Sequence, residues 1–208
     1  MKNKVVVAAI AATLIAGLAG PVNAAPEKTL VIIDSGINPK LDWVKGALVD
    51  EACFIEFGKC PNGQSSMTGP GAASLSPNDA DNDKTFNHGT QMASVAVAVN
   101  PGVKIAAVRI VGMSDKGFAN TYRTNSLIPA LDWVIENSAR LNVGAVSISL
   151  GRPYSEAACP VEAPLQSRIV ALKQNNVGVF IAAGNRSNPN KVDYPACIPE
   201  AIAVGATD

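Results

Sequence analysis

The sequence predicts an α/β fold, a mostly parallel sheet with helices on both faces. Two observations predict it. Five short apolar runs, rich in Val, Ile and Ala, recur along the chain. They are continuous rather than alternating, as expected of strands buried on both faces. Between them lie segments whose apolar residues recur at helical spacing, and strands that alternate with helices point to a parallel sheet.

The elements follow in chain order. Residues 1–24 stand outside the fold. A basic start with Lys2 and Lys4, an apolar stretch from Val5 to Leu18, and Val22-Asn23-Ala24 read as a secretory signal peptide cleaved after Ala24. The stretch is short and broken by Gly17, Gly20 and Pro21, which argues against a membrane anchor. Residues 25–208 are expected to form one domain. Its first strand, Leu30 to Ile33, ends at Asp34-Ser35-Gly36. From Cys53 to Asn87 the chain is polar and rich in Gly, Pro, Ser and Asn, a surface excursion. A helix over Thr90–Val99 precedes a strand over Val103–Val111. A helix over Asn125–Leu141 carries Leu127, Ile128, Leu131, Val134 and Ile135, and a strand over Gly144–Leu150 follows. A helix over Pro164–Asn175 stops at Asn175-Asn176. Strands over Val177–Ala183 and Ala201–Ala206 complete the series. Trp43 and Trp133 read as packing residues.

Charge excludes some partners. Lys plus Arg number 17 and Asp plus Glu 17, so the whole chain is neutral. There is no basic stripe, and nucleic acid is not an expected partner. No later apolar stretch is long enough to span a bilayer. The four cysteines of an exported chain imply two disulfides. Of the three possible pairings we prefer Cys53–Cys60, which closes a short loop, with Cys159–Cys197, which ties two distant loops. One His and no C-x-x-C speak against zinc. Asp79, Asp81 and Asp83 form a carboxylate cluster without a distal Glu, read as a solvated loop rather than a calcium site.

The chemistry centres on His88, the single histidine, in "FNHGTQMAS". In open α/β sheets ligands bind at the carboxyl ends of the strands. Asp34 follows the first strand, Asn185 follows the fourth in "AAGN", and Ser149-Leu150-Gly151 closes the third. His88 opens a helix. An acid, an imidazole and an amide on one rim suit acyl transfer: the acid orients the ring, the ring shuttles a proton, and the amide steadies an oxyanion.

"VIIDSGIN" at 31–38, "NHGT" at 87–90, "SISLG" at 147–151, "AAGN" at 182–185 and "YPACIPEAIAVGATD" at 194–208 together resemble a subtilisin-type serine protease (peptidase family S8). The resemblance runs from about Leu30 to Asp208. It implies a subtilisin-like three-layer sandwich. It makes Asp34 the acid, His88 the base and Asn185 the oxyanion donor. Ser149, Leu150 and Gly151 would pair a peptide substrate as an added strand, and Gly112 with the loop after it would form the opposite wall. It implies no cofactor beyond an optional structural calcium, a polypeptide substrate, a monomer, and a secreted or periplasmic location.

The sequence departs from the family in one respect that matters. The nucleophile belongs in a Gly-Thr-Ser segment, and none occurs in the 208 residues. The fold is therefore expected to be incomplete at its C-terminus, with one face of the sheet uncovered. Gln91 follows "HGT" where many relatives carry a second His, and no propeptide fits between Ala24 and the first strand. Two further readings stand beside the protease: a secreted peptide-binding module that keeps the cleft without catalysis, and a hydrolase that uses Ser187.

Overall fold

The computed structural model describes residues 27–75, 84–113, 119–120 and 124–207. The signal segment and the cluster of Asp79, Asp81 and Asp83 lie outside them. The described strands are β1 (Thr29–Asp34), β2 (Leu48–Phe54), β3 (Ser66–Thr68), β4 (Lys104–Arg109), β5 (Gly112–Met113), β6 (Ala119–Asn120), β7 (Val143–Ile148), β8 (Gly178–Ala182) and β9 (Ile202–Val204). The helices are α1 (Asp42–Ala47), α2 (His88–Val99), α3 (Thr124–Asn137) and α4 (Ala163–Gln174), with a 3-10 turn over Lys84–Asn87.

Seven of these strands form one sheet in the order β3-β2-β4-β1-β7-β8-β9. Only β3 runs antiparallel, paired to β2. The other neighbours are parallel. The central strands are apolar on both faces because helices cover both. Val31 and Ile33 of β1 pack with Leu127, Leu131 and Val134 of α3. Leu165, Ile169 and Leu172 of α4 join the same core. Ile32, Ile105 and Ala107 point the other way, to Val44 and Ala47 of α1 and Ala93 of α2. Each fully buried Ile, Leu or Val contributes about 1.5–3 kcal/mol.

The second face is covered only over half the sheet. Across β7, β8 and β9 it is bare among the described residues. There Leu30, Ala145, Ser147, Phe180, Ala182 and Val204 line an apolar groove of about 460 Å³. Phe180, Ile202 and Val204 remain exposed.

The polar excursion is more ordered than the sequence predicts. Composition gave no sign of β2, because Asp50 and Glu51 interrupt its apolar residues. Glu51 is nonetheless buried, and its carboxylate accepts from the Gly71 N–H and the Ser74 hydroxyl. Those partners lie 20 and 23 residues away, so no local pattern announces them. The hairpin of β2 with β3 encloses the Cys53–Cys60 disulfide, with Ile55 and Ala72 buried around it. The second disulfide joins Cys159 to Cys197, so both bridges follow the preferred pairing. The predicted helix over Asn125–Leu141 stops at Asn137. The chain then turns through Asn142, whose φ of 50° suits Asn better than a branched residue.

Candidate active site

β1 lies where the strand order reverses, with β2 and β4 on one side and β7, β8 and β9 on the other. Ligands bind at the carboxyl ends of strands at such a point. Asp34 is the last residue of β1. The segments after β4 and after β7 leave the sheet on either side of it.

His88 reaches Asp34 from α2. Its Nδ1 lies 2.9 Å from both Asp34 Oδ1 and Oδ2. A carboxylate only accepts, so Nδ1 carries the proton and donates, which leaves Nε2 as the basic nitrogen. The Asp34 side chain is 2% exposed and that of His88 35%. The acid is sealed and the ring is half open. The Ser35 N–H, 2.6 Å away, also donates to Asp34 Oδ1.

The sequence positions this pair through small residues. The Ser35 hydroxyl donates to the Phe86 carbonyl at 2.9 Å and accepts from the Gly89 N–H at 3.0 Å. One side chain thus pins the backbone on both sides of His88 to the end of β1. The Thr90 hydroxyl accepts from the Asn38 N–H at 2.9 Å and fastens the next loop. Gly89 lets α2 touch β1: a Cβ there would sit 2.3 Å from the Gly36 carbonyl. Gly36 has φ of 115°, open mainly to glycine. Sequence analysis gave Ser35 no role beyond its place after Asp34. The motif held the signal, but the two partners of its hydroxyl appear only in three dimensions.

The hydrogen bond to Asp34 holds the His88 pKa above the ordinary 6.5, and the carboxylate charge adds to this, while partial burial opposes it. A raised folded-state value means the pairing stabilises the fold in full below about 6.5 and loses that contribution as pH rises through the folded value. We expect urea midpoints to fall across that window, and the His88→Gln variant to lack that component of the fall. The single imidazole resonance of the chain gives the titration directly. An unshifted His88 pKa would refute the expectation.

The other predicted residues are distributed along the same rim. Ile148 of β7 pairs with Ile33 of β1 and with Ile181 of β8. Ser149, Leu150 and Gly151 therefore continue past the sheet beside Asp34, and Asn185 follows one strand further on. Asn185 is exposed and follows Gly184, whose φ is 101°. Gly112 sits beyond β4 on the opposite side. It is buried rather than open, because a Cβ there would lie 2.1 Å from the Phe57 carbonyl and 2.4 Å from Ile55 Cγ2. Ser187 has φ of 50° and is exposed, and among the described residues no hydrogen bond joins it to His88. No group of three or more His, Cys, Asp or Glu suited to a metal occurs among the described residues. No described helix is long and apolar enough to cross a membrane.

A model of the subtilase family, peptidase S8, matches residues 27–208. The chain belongs to the subtilase family. A cuticle-degrading serine protease of Arthrobotrys oligospora is 30% identical over 184 residues, 86% of this subtilase chain and 37% of the relative. Subtilisin Savinase of Lederbergia lenta is 29% identical over 147 residues, 66% of the chain and 49% of the relative. The chain thus spans half or less of the length of these relatives. Among solved structures, S41 Psychrophilic Protease superposes with a TM-score of 0.61 at 15% identity, covering 84% of this chain and 52% of that one. Sphericase gives 0.58 at 18% identity, covering 85% and 53%. At such identities these structures establish the subtilase-like fold alone.

Proposed function

We propose that this subtilase region is the proton-relay half of a secreted or periplasmic serine endopeptidase acting on polypeptides. The observation that carries the reading is the His88 Nδ1 contact with both oxygens of a sealed Asp34, on the rim where the strand order reverses. His88 Nε2 would take the proton of a serine hydroxyl as that oxygen adds to the scissile carbonyl, then return it to the leaving amine. Asp34 would hold the tautomer and steady the imidazolium. Asn185 would donate to the oxyanion, and loss of such a donor costs about 10²–10³ in kcat. Ser149–Gly151 would pair the substrate backbone. The two disulfides fit an oxidising compartment. The working unit in this reading is a monomer without cofactor; calcium is at most structural.

The serine is not supplied by a Gly-Thr-Ser segment of these 208 residues. By itself this stretch is expected to leave peptide bonds intact and to take no label from a fluorophosphonate probe. Joined to a subtilase segment that carries Gly-Thr-Ser, it should take the label, and His88→Ala should remove it. Labelling that ignores His88→Ala would end the protease reading. The second reading is a peptide-binding module, in which peptides bind but the joined protein never takes the probe. Label on the unextended chain would instead revive Ser187.

A further inference from the structure

We infer that Arg109 is a positioning residue: its buried guanidinium holds the turn that carries His88, and the start of the Gly112 segment, in one fixed arrangement about Asp34. The hold itself is a matter of geometry; its consequence for hydrolysis rests on the protease reading above.

Arg109 is the last residue of β4 and pairs with Asp34 in the register of β1. It is only 3% exposed. Burying a charge is costly unless it is paired and hydrogen-bonded. Here Nε donates to the Val111 carbonyl at 3.1 Å, and Nη1 donates to the Ser74 carbonyl at 3.2 Å. Cζ lies 5.3 Å from the centre of the Phe86 ring, inside the range of about 6 Å over which a ring face attracts a cation. The stem of the side chain runs against Gly36, where a Cβ would fall 3.2 Å from Arg109 Cδ. A planar fork reaches two carbonyls and a ring together; the compact ammonium of a lysine does not.

Each partner leads to the acid–imidazole pair or to the cleft beside it. Phe86 is fully buried and stands two residues before His88. The Ser35 hydroxyl holds its carbonyl and Arg109 faces its ring, so the 3-10 turn is gripped from β1 and from β4. Ser74 belongs to a loop laced to the exit of β1. The Ile37 N–H donates to the Ala73 carbonyl at 2.9 Å, and the Leu75 N–H donates to the Ile37 carbonyl at 3.0 Å. The Ser74 hydroxyl also donates to the buried Glu51, so this one residue stands between a buried anion and a buried cation. Val111 is where the chain leaves β4 for Gly112. Arg109 thus acts on His88 through Phe86, and fixes the Gly112 wall relative to it through Val111.

The test reads His88 in the full chain through its single imidazole resonance, with far-UV circular dichroism as the check on folding. Arg109→Lys keeps the charge and loses the fork. Phe86→Leu keeps an apolar core residue and loses the ring, and it alone decides where Arg109→Lys does not fold. We expect each to bring the His88 pKa back toward the ordinary value. The double variant should go no further than the larger single, because both break one contact. Leu172→Ala, which removes an equally buried side chain of α4, should lower the urea midpoint and leave the His88 pKa raised. In a chain joined to a Gly-Thr-Ser segment, Arg109→Lys should take the fluorophosphonate label about 10–10²-fold more slowly, the scale of loss that a misplacement of about 1 Å brings. A His88 pKa that stays raised in the folded variants overturns the inference and leaves the protease reading in place. So do shifts that add in the double variant, or an equal fall in Leu172→Ala. A joined parent protein that takes no label while the pKa shifts run as expected overturns the protease reading and leaves the hold of Arg109 standing.

Discussion

Gly89→Ala is expected to separate His88 from Asp34. The added methyl would lie 2.3 Å from the Gly36 carbonyl and 3.1 Å from both Gly36 N and Asp34 Cβ. Two of these atoms are backbone and none is the flexible end of a side chain, so α2 itself must retreat. Overpacking of this kind costs about 1–3 kcal/mol. Retreat also strands a carboxylate whose side chain is 2% exposed, and breaking a buried pair on one side costs about 3–5 kcal/mol. The two effects overlap, so a loss of about 3 kcal/mol or more is expected. Two readouts should move together: the His88 pKa should fall back toward the ordinary value, and the urea midpoint should drop. A variant that kept both would show that the close contact of α2 with β1 does not hold the pair.

Removal of the Cys159–Cys197 bridge is the second large effect. The cysteines are 38 residues apart, against 7 for Cys53–Cys60. Loop-closure entropy then assigns about 4 kcal/mol to the long bridge and about 2.5 kcal/mol to the short one. Against a total of about 5–15 kcal/mol for a domain, the long bridge matters greatly. The Cys159→Ala, Cys197→Ala double variant should melt well below the Cys53→Ala, Cys60→Ala variant. Equal melting losses from the two bridges would contradict this account.

Much of the architecture was legible before any coordinates. The runs at Leu30, Val103, Gly144, Val177 and Ala201 all became strands: β1 and β4 are unbroken apolar stretches because both their faces are buried, and β7, β8 and β9 carry the same pattern although one of their faces is bare among the described residues. The rim residues were legible because each sits in a short motif at a strand end or helix start. β2 was not, since the group that satisfies Glu51 comes from another loop. Nor was the burial of Gly112, which depends on Phe57 folding over it, or the double anchoring of His88 by the Ser35 hydroxyl.

The order of residues along this chain decides which segments become strands and helices, and which motif ends each one, because periodicity and turn chemistry act over a few neighbours. Only the tertiary structure decides that Asp34 meets His88, that Gly71 and Ser74 satisfy the buried Glu51, and that half of one sheet face is bare among the described residues. Those outcomes depend on contacts between segments 54 residues apart, or 20 and 23 apart, which sheet order and helix packing set and no local pattern encodes.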